Sequence, residues 1–239
     1  MKKQQSGFTL VEIAIVLVII GLLLGGVLKG QELIHSAKVK NMINDLRSVT
    51  SMVYAYQDRF RALPGDQNAG QLAIAFPAPA APTACTPSAA ATNCDQGNGR
   101  IDGDWWAGAS GAAVLTNETS VFWQHVRLAN LATGSTINIT TDANYQPRNA
   151  DGGIIGIESG INSATGTAEP FIAGMRGSMF VCSAGILGRY AKQIDLTMDD
   201  GNTAQGAVQA VPEGSARGTA AVATAAIVEG QKYSVCFAN

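Results

Sequence analysis

From Phe8 to Leu28 the chain runs through 21 residues that carry one charged side chain, Glu12. A helix of that length rises about 32 Å, enough to cross a hydrocarbon core of about 30 Å. A buried acid within such a span costs on the order of 2.5 to 3.5 kcal/mol, and such residues usually have a partner inside the membrane. Nothing else in the span can pair with Glu12. Either it snorkels to the nearby interface and does nothing, or its partner comes from outside the span.

The flanking residues decide between these. Lys2 and Lys3 are followed by "QQSG", a short basic and polar leader that stops at Gly7, directly before the apolar run. A secretory signal has the opposite order, with its apolar region inside the removed piece and a small-residue cut after it. Cleavage between Gly7 and Phe8 would create an ammonium at Phe8, four residues and about one helical turn from Glu12.

With those residues in view, "GFTLVEIAIVLVIIG" resembles the processing site and hydrophobic arm of type IV pilins and type II secretion pseudopilins. The resemblance implies that a prepilin peptidase cuts after Gly7 and N-methylates Phe8. It also implies that Glu12 neutralises the N-terminal amine of a neighbouring subunit and so draws subunits from the bilayer into a filament. The expected partners are copies of the chain or other pilins, the prepilin peptidase, an inner-membrane assembly platform and membrane lipid. The expected location is the bacterial inner membrane, crossed once with the head in the periplasm, then a pilus or pseudopilus at or near the cell surface. The close match covers Lys2 to Gly30 and a looser one reaches about Asp66. One position departs from the pattern: Lys29 stands where many pilins carry a helix-breaking proline. Gly21, Gly25, Gly26 and Gly30 each cost about 1 kcal/mol of helix stability relative to alanine. They serve either as local melting points or as close-approach sites between helices.

Beyond Gly30 the apolar residues thin into a stripe. Val39, Met42, Leu46, Val49, Val53, Tyr56, Phe60 and Leu63 recur at steps of three and four, with Lys40, Asn44, Asp45, Arg47 and Asp58 among the polar residues between them. That is an amphipathic helix, stopped by Pro64 in "ALPGD". One helix from Phe8 to Arg61 would be about 80 Å long. The expected fold is α+β and pilin-like: a long N-terminal helix, transmembrane in its first half and amphipathic in its second, packed against an antiparallel β-sheet head. The expected divisions are a leader at 1–7, a transmembrane and assembly part at 8–30, an amphipathic part at 31–63, and a globular head at 64–239.

The head has the length to bury one core. Residues 62–239 hold eight basic and fourteen acidic residues, a net charge of −6, whereas residues 8–61 carry +2. An acidic head is a poor nucleic-acid surface, because such binding depends on basic contacts to phosphate. Its four cysteines, Cys85, Cys94, Cys182 and Cys236, read as two disulfides in an oxidising compartment, with three connectivities open. Pairing Cys85 with Cys94 and Cys182 with Cys236 is favoured. The first would close a small loop in the Pro/Ala-rich stretch "FPAPAAPTACTPSAAATNC", worth roughly 2 to 3 kcal/mol in the chain-entropy model. Zinc is disfavoured, since there is no CxxC and the chain has only His35 and His125.

Within the head, "NETSVFWQHVRLANLATG" predicts a helix with Asn117 as N-cap, Phe122, Trp123, Val126 and Leu131 mostly facing the core, and Gly134 as its end. Strands are predicted at "STINIT", "IIGI", "SMFVCSAGIL" and "YSVCF", forming a meander over the long helix, with a short helix ahead of "MDDG". No GxSxG, HExxH, P-loop or GxGxxG occurs, and His125 has no second head histidine or nucleophile motif beside it, which argues against an enzyme and for a structural histidine. No cofactor is required. Two acidic stretches are calcium candidates: Asp102 in "CDQGNGRID", where Cys94 and Gln96 occupy positions that calcium would fill with Asp-type ligands, and Asp199 and Asp200, with Asp195, in "IDLTMDDGN". Two functions follow. One is a filament subunit, specialised or minor given its large head. The other is an arm-anchored binding or adhesion protein whose head contacts a surface, a secreted substrate or DNA, with Trp105 and Trp106 in "DGDWWAG" as its aromatic contact.

Overall fold

The computed structural model describes residues 10–87, 93–108, 112–137, 139–161 and 167–239. They fall into two compact units, Met1–Val39 and Lys40–Asn239.

Helix α1 runs from Leu10 to Phe60. It has an acid, Glu12, in its first turn and a base, Arg59, in its last, the arrangement that complements the helix dipole. Along residues 10–28 its apolar side chains face outward all round, Leu10, Ile15, Ile19, Leu23, Val27 and Leu28 among them. Lys29 Nζ meets Glu32 Oε2 at 2.6 Å on the surface of the same helix. In the second unit one face alone is apolar: Met42, Leu46, Val49, Val53 and Tyr56 are buried, as the spacing predicts. The helix stops where Arg61 takes a left-handed φ of 54° and its N–H bonds back to Gln57 O at 2.8 Å, ahead of Pro64. Those last turns meet other parts of the head. Tyr56 stacks on His125 with ring centroids 6.5 Å apart, Arg59 Nη1 donates to Ala129 O at 3.2 Å, and Asn239 Nδ2 donates to Tyr54 Oη.

A short helix α2, Ala69–Ala75, is closed by a capping box between Asn68 and Gln71. Helix α3, Glu118–Leu128, buries Phe122, Trp123 and Val126. Asn117 occupies its N-cap position without a side-chain cap bond, and its Oδ1 accepts instead from Asp104 N at 3.4 Å. The helix ends six residues before Gly134. Asn130 turns left-handed at φ 60°, and the guanidinium of Arg127 reaches back to hold Thr133 O at 3.1 Å, Ser135 O at 3.2 Å and Tyr145 O at 2.6 Å. Leu131 is consequently only half-buried. "STINIT" forms no strand among its described residues. Ser135 Oγ bonds to Ile137 O at 2.7 Å within a bend, and Ile137 is 66% exposed, so no sheet face is there to receive it.

The sheet comes from β1 (Ile155–Glu158), β3 (Phe180–Leu187), β4 (Val208–Pro212) and β6 (Lys232–Ala238). A separate parallel pair joins β2 (Ile172–Ala173) to β5 (Thr219–Ala220). The four main strands are antiparallel in the order β1-β3-β6-β4, which corrects the simple meander: β6 inserts between β3 and β4. Its register places Cys182 opposite Cys236, and a bulge between Ser183 and Ile186 contains Gly185 at φ +70°. Helix α4, Gly188–Met198, follows β3 directly, as predicted ahead of "MDDG", and packs on β3, β4 and β6. Buried Tyr190, Ala191 and Ile194 form its inner face.

Candidate functional site

The first candidate is the arm. Glu12 sits exposed in the opening turn of α1, at the start of an apolar surface none of which is buried. The helix is long and apolar enough to cross a membrane. Gly7 and Phe8, the expected processing residues, lie outside the described residues.

The second candidate is the loop around Asp102. Backbone N–H groups of this loop converge on Asp66, while Asp102 is held by a side chain. Asp66, from the "LPGD" turn, accepts Gly97 N at 2.5 Å and Asn98 N at 3.1 Å on one oxygen, and Gly99 N at 2.9 Å on the other. Asp102 Oδ2 accepts Asn98 Nδ2 at 2.6 Å, while Asp102 N donates to Glu118 Oε2 at 2.9 Å. Glu118 is fully buried. Burial, with smaller contributions from Asp102, Asp66 and Asp95, pushes its carboxyl up to about 9, against the lowering effect of the Asp102 N–H. Glu118 is therefore a neutral acid at neutral pH. Beside it Cys85 is bonded to Cys94, and Cys182 is bonded to Cys236 across β3 and β6.

His125 is buried between two backbone groups. Its Nδ1 accepts Gly65 N at 2.9 Å, so Nε2 donates to Thr83 O at 3.0 Å. Desolvation pushes its pKa down to about 4, which keeps the ring neutral. Gly65, at φ +98°, is required there: a Cβ would stand 2.7 Å from Glu118 O. The ring thus fastens the turn after α1 to α3.

A third cluster lay beyond the reach of sequence reasoning. Glu158, at the end of β1, is fully buried against Arg217 in a bidentate pair, Nη1 to Oε1 at 2.9 Å and Nη2 to Oε2 at 2.6 Å. Phe171 N and Trp105 N donate to the same two oxygens, each at 3.1 Å. Arg217 also holds Asp104 Oδ1 at 2.8 Å and Glu169 O at 2.7 Å, and lies over the Trp106 ring, 5.3 Å from its centroid. Trp105 is buried; Trp106 is half-buried and lines an open cavity of about 610 Å³ with Arg148, Asp151, Glu213, Lys232 and Ser234.

Asp195, Asp199 and Asp200 gather at the end of α4, their nearest carboxylate oxygens all within 4.8 Å of one another.

Residues 2–28 match the family model described as the prokaryotic N-terminal methylation motif. This is the prepilin-type signature of type IV pilins and pseudopilins. With a long N-terminal apolar helix and a four-stranded antiparallel sheet, the chain has an α+β, pilin-like layout. No curated protein and no solved structure matches the chain. The signature is that of a prepilin, a class processed by prepilin peptidase and assembled into filaments, and together with the apolar helix it fits anchoring in the inner membrane.

Proposed function

We propose that the protein is a structural, non-enzymatic subunit of a type IV pilus or type II secretion filament, minor or specialised rather than the bulk subunit. Cleavage after Gly7 and methylation of Phe8 would prepare it for assembly, with residues 8–30 holding it in the inner membrane and the head on the periplasmic side. The observation that carries this reading is the wholly exposed apolar surface of α1, headed by Glu12 and coinciding with the methylation motif. Such a surface needs lipid or other copies of the same helix around it. The cost of holding Glu12 in the bilayer is relieved when a neighbour's Phe8 ammonium meets it. The second reading, an arm-anchored binding protein, keeps the half-buried Trp106 and its cavity as support but loses Trp105, which is packed inside.

Glu12→Ala and Glu12→Gln test the proposal. Removing the carboxylate eases insertion of the lone helix by up to about 2.5 to 3.5 kcal/mol. In the filament it leaves a neighbour's ammonium without its counter-charge, at a cost of about 3 to 5 kcal/mol. Both terms move protein from sheared filaments to the inner-membrane fraction at matched expression, with head folding intact. Intact-mass analysis should show a chain beginning at methylated Phe8. Wild-type partitioning of both variants, or a mature chain that keeps Met1, would overturn the reading.

A further inference from the structure

Three carboxylates at the end of α4 stand in an electrostatically unfavourable place. Asp195 lies in the last turn, Asp199 is the C-cap and Asp200 follows it, with no basic residue in that turn. The C-terminal end of a helix already carries partial negative charge, so acids there are destabilising. None of the three forms an ion pair among the described residues, although Lys192 lies one turn back on the same helix.

Asp199 and Asp200 are exposed, and each gives one oxygen to the backbone. Asp199 Oδ2 accepts Ala207 N at 2.5 Å and Val208 N at 3.1 Å, and Asp200 Oδ1 accepts Asn202 N at 2.8 Å. Asp195 differs. It is fully buried, yet both of its carboxylate oxygens lack a hydrogen-bond partner. A polar side chain buried in that state is destabilising, and more so when charged.

We propose that Asp195, Asp199 and Asp200 form a binding site for a hard divalent cation of calcium's size. The spacing is the first support. Calcium takes oxygen ligands at 2.3 to 2.6 Å, so two ligands on opposite sides of one ion lie about 4.8 Å apart. The three groups already fall within that limit, so an ion can be reached without moving the backbone. The donor count is the second. After the hydrogen bonds above, both oxygens of Asp195, Oδ1 of Asp199 and Oδ2 of Asp200 remain for the ion. One carboxylate oxygen from each residue, supplemented by water or backbone carbonyls, would fill calcium's six to eight positions. Magnesium prefers a near-ideal octahedron and keeps several of its waters, which an irregular loop with one ligand sunk beneath the surface serves poorly. The third is the location: an ion here reverses the charge conflict at the helix end. Because Asp199 also grips the N–H groups that open β4, the ion would fasten the end of α4 to the sheet.

The test uses the full processed chain in detergent, with thermal unfolding followed in EDTA, in calcium chloride and in magnesium chloride. At a hundredfold excess of calcium over its dissociation constant, the expected rise in Tm is roughly 5 to 10 °C. Magnesium should give a clearly smaller rise. Asp195→Asn should lose the calcium response, while its Tm in EDTA equals or exceeds that of the wild type, since the substitution removes like-charge repulsion. Asp102→Asn, at the other acidic loop, should keep the response. The proposal is overturned if the wild type melts at one temperature in calcium and EDTA, if Asp195→Asn keeps the shift, if Asp102→Asn abolishes it, or if magnesium acts as strongly as calcium.

Discussion

Glu118 and Glu158 are both buried to zero exposure, and their surroundings treat them in opposite ways. Beside the sheet, Glu158 receives two donors on each oxygen, Arg217 Nη1 and Phe171 N on one, Arg217 Nη2 and Trp105 N on the other. Burial, the largest influence, pushes its pKa up, against the lowering effect of Arg217 and of the Trp105 and Phe171 N–H groups. With all four donors in place no lone pair is left for a proton, so it keeps its charge. At the start of α3, Glu118 receives one N–H, from Asp102, and has acids rather than a base around it, so it keeps its proton. Depth of burial alone does not set the charge state of an interior acid. The supply of donors does, and the two regions place different demands on stability and pH.

The largest effect should come from removing the cation beside Glu158. Arg217→Ala leaves a buried carboxylate uncompensated and should destabilise the head by about 3 to 5 kcal/mol in chemical unfolding. Pairing Arg217→Met with Glu158→Leu should recover most of that loss, since an apolar replacement removes the desolvation cost of both charges. No recovery would mean that the pair contributes more than mutual neutralisation.

Glu118 should give a smaller, pH-dependent effect. Its folded pKa, about 9, lies above the ordinary value of 4.5. Between those values the folded state holds a proton that the unfolded state has released, so its contribution is fully present below pH 4.5 and is lost as pH rises through 9. His125 works in the opposite sense. Its folded pKa, about 4, lies below 6.5, so stability falls as pH drops from 6.5 through 4. Above pH 6.5 the histidine is silent, and the wild type should lose about 2 kcal/mol between pH 6.5 and 8. Glu118→Gln should flatten that window; an unchanged slope would show that Glu118 is ionised in the fold.

The smallest effect is a coupling. Asp104 approaches both regions, since it binds Arg217 while its N–H reaches Asn117, the residue before Glu118. That N–H bond is long, at 3.4 Å, so Arg217→Ala and Glu118→Gln should add to within about 0.5 kcal/mol. A larger coupling energy would make the two regions one network.

The arm was legible because its signal is local and repeated: apolar residues in an unbroken run, then at steps of three and four, then Pro64. Strands β1, β3 and β6 were legible for the same reason, as apolar runs bounded by turn residues. The misreadings share a cause. "STINIT" has strand composition, but a strand needs an edge to pair with, and the bend at Ser135 to Ile137 turns it away from one. Helical residues continue beyond Leu128, but Arg127 draws the following loop back on itself through bonds to residues 133, 135 and 145. Glu158 and Arg217 lie 59 residues apart, and nothing near either marks the other. Asp66 was visible only as part of a turn; the three N–H groups it gathers belong to a loop more than thirty residues on.

The strand order also sets a sequence of events during synthesis. Strands β3 and β4 both emerge before β6, the strand that joins them, so the ribosome delivers the two flanks of the sheet before its bridge. The thiols inherit the same schedule. Cys94 follows Cys85 by 9 residues, whereas Cys182 waits 54 residues for Cys236. Wherever oxidation begins while the chain is still arriving, early closure of the first pair withdraws both of its thiols from competition and leaves Cys182 with only its proper mate to meet. Pairing fidelity in this head is then a matter of arrival time, written into the order of the chain as much as into the shape it finally takes.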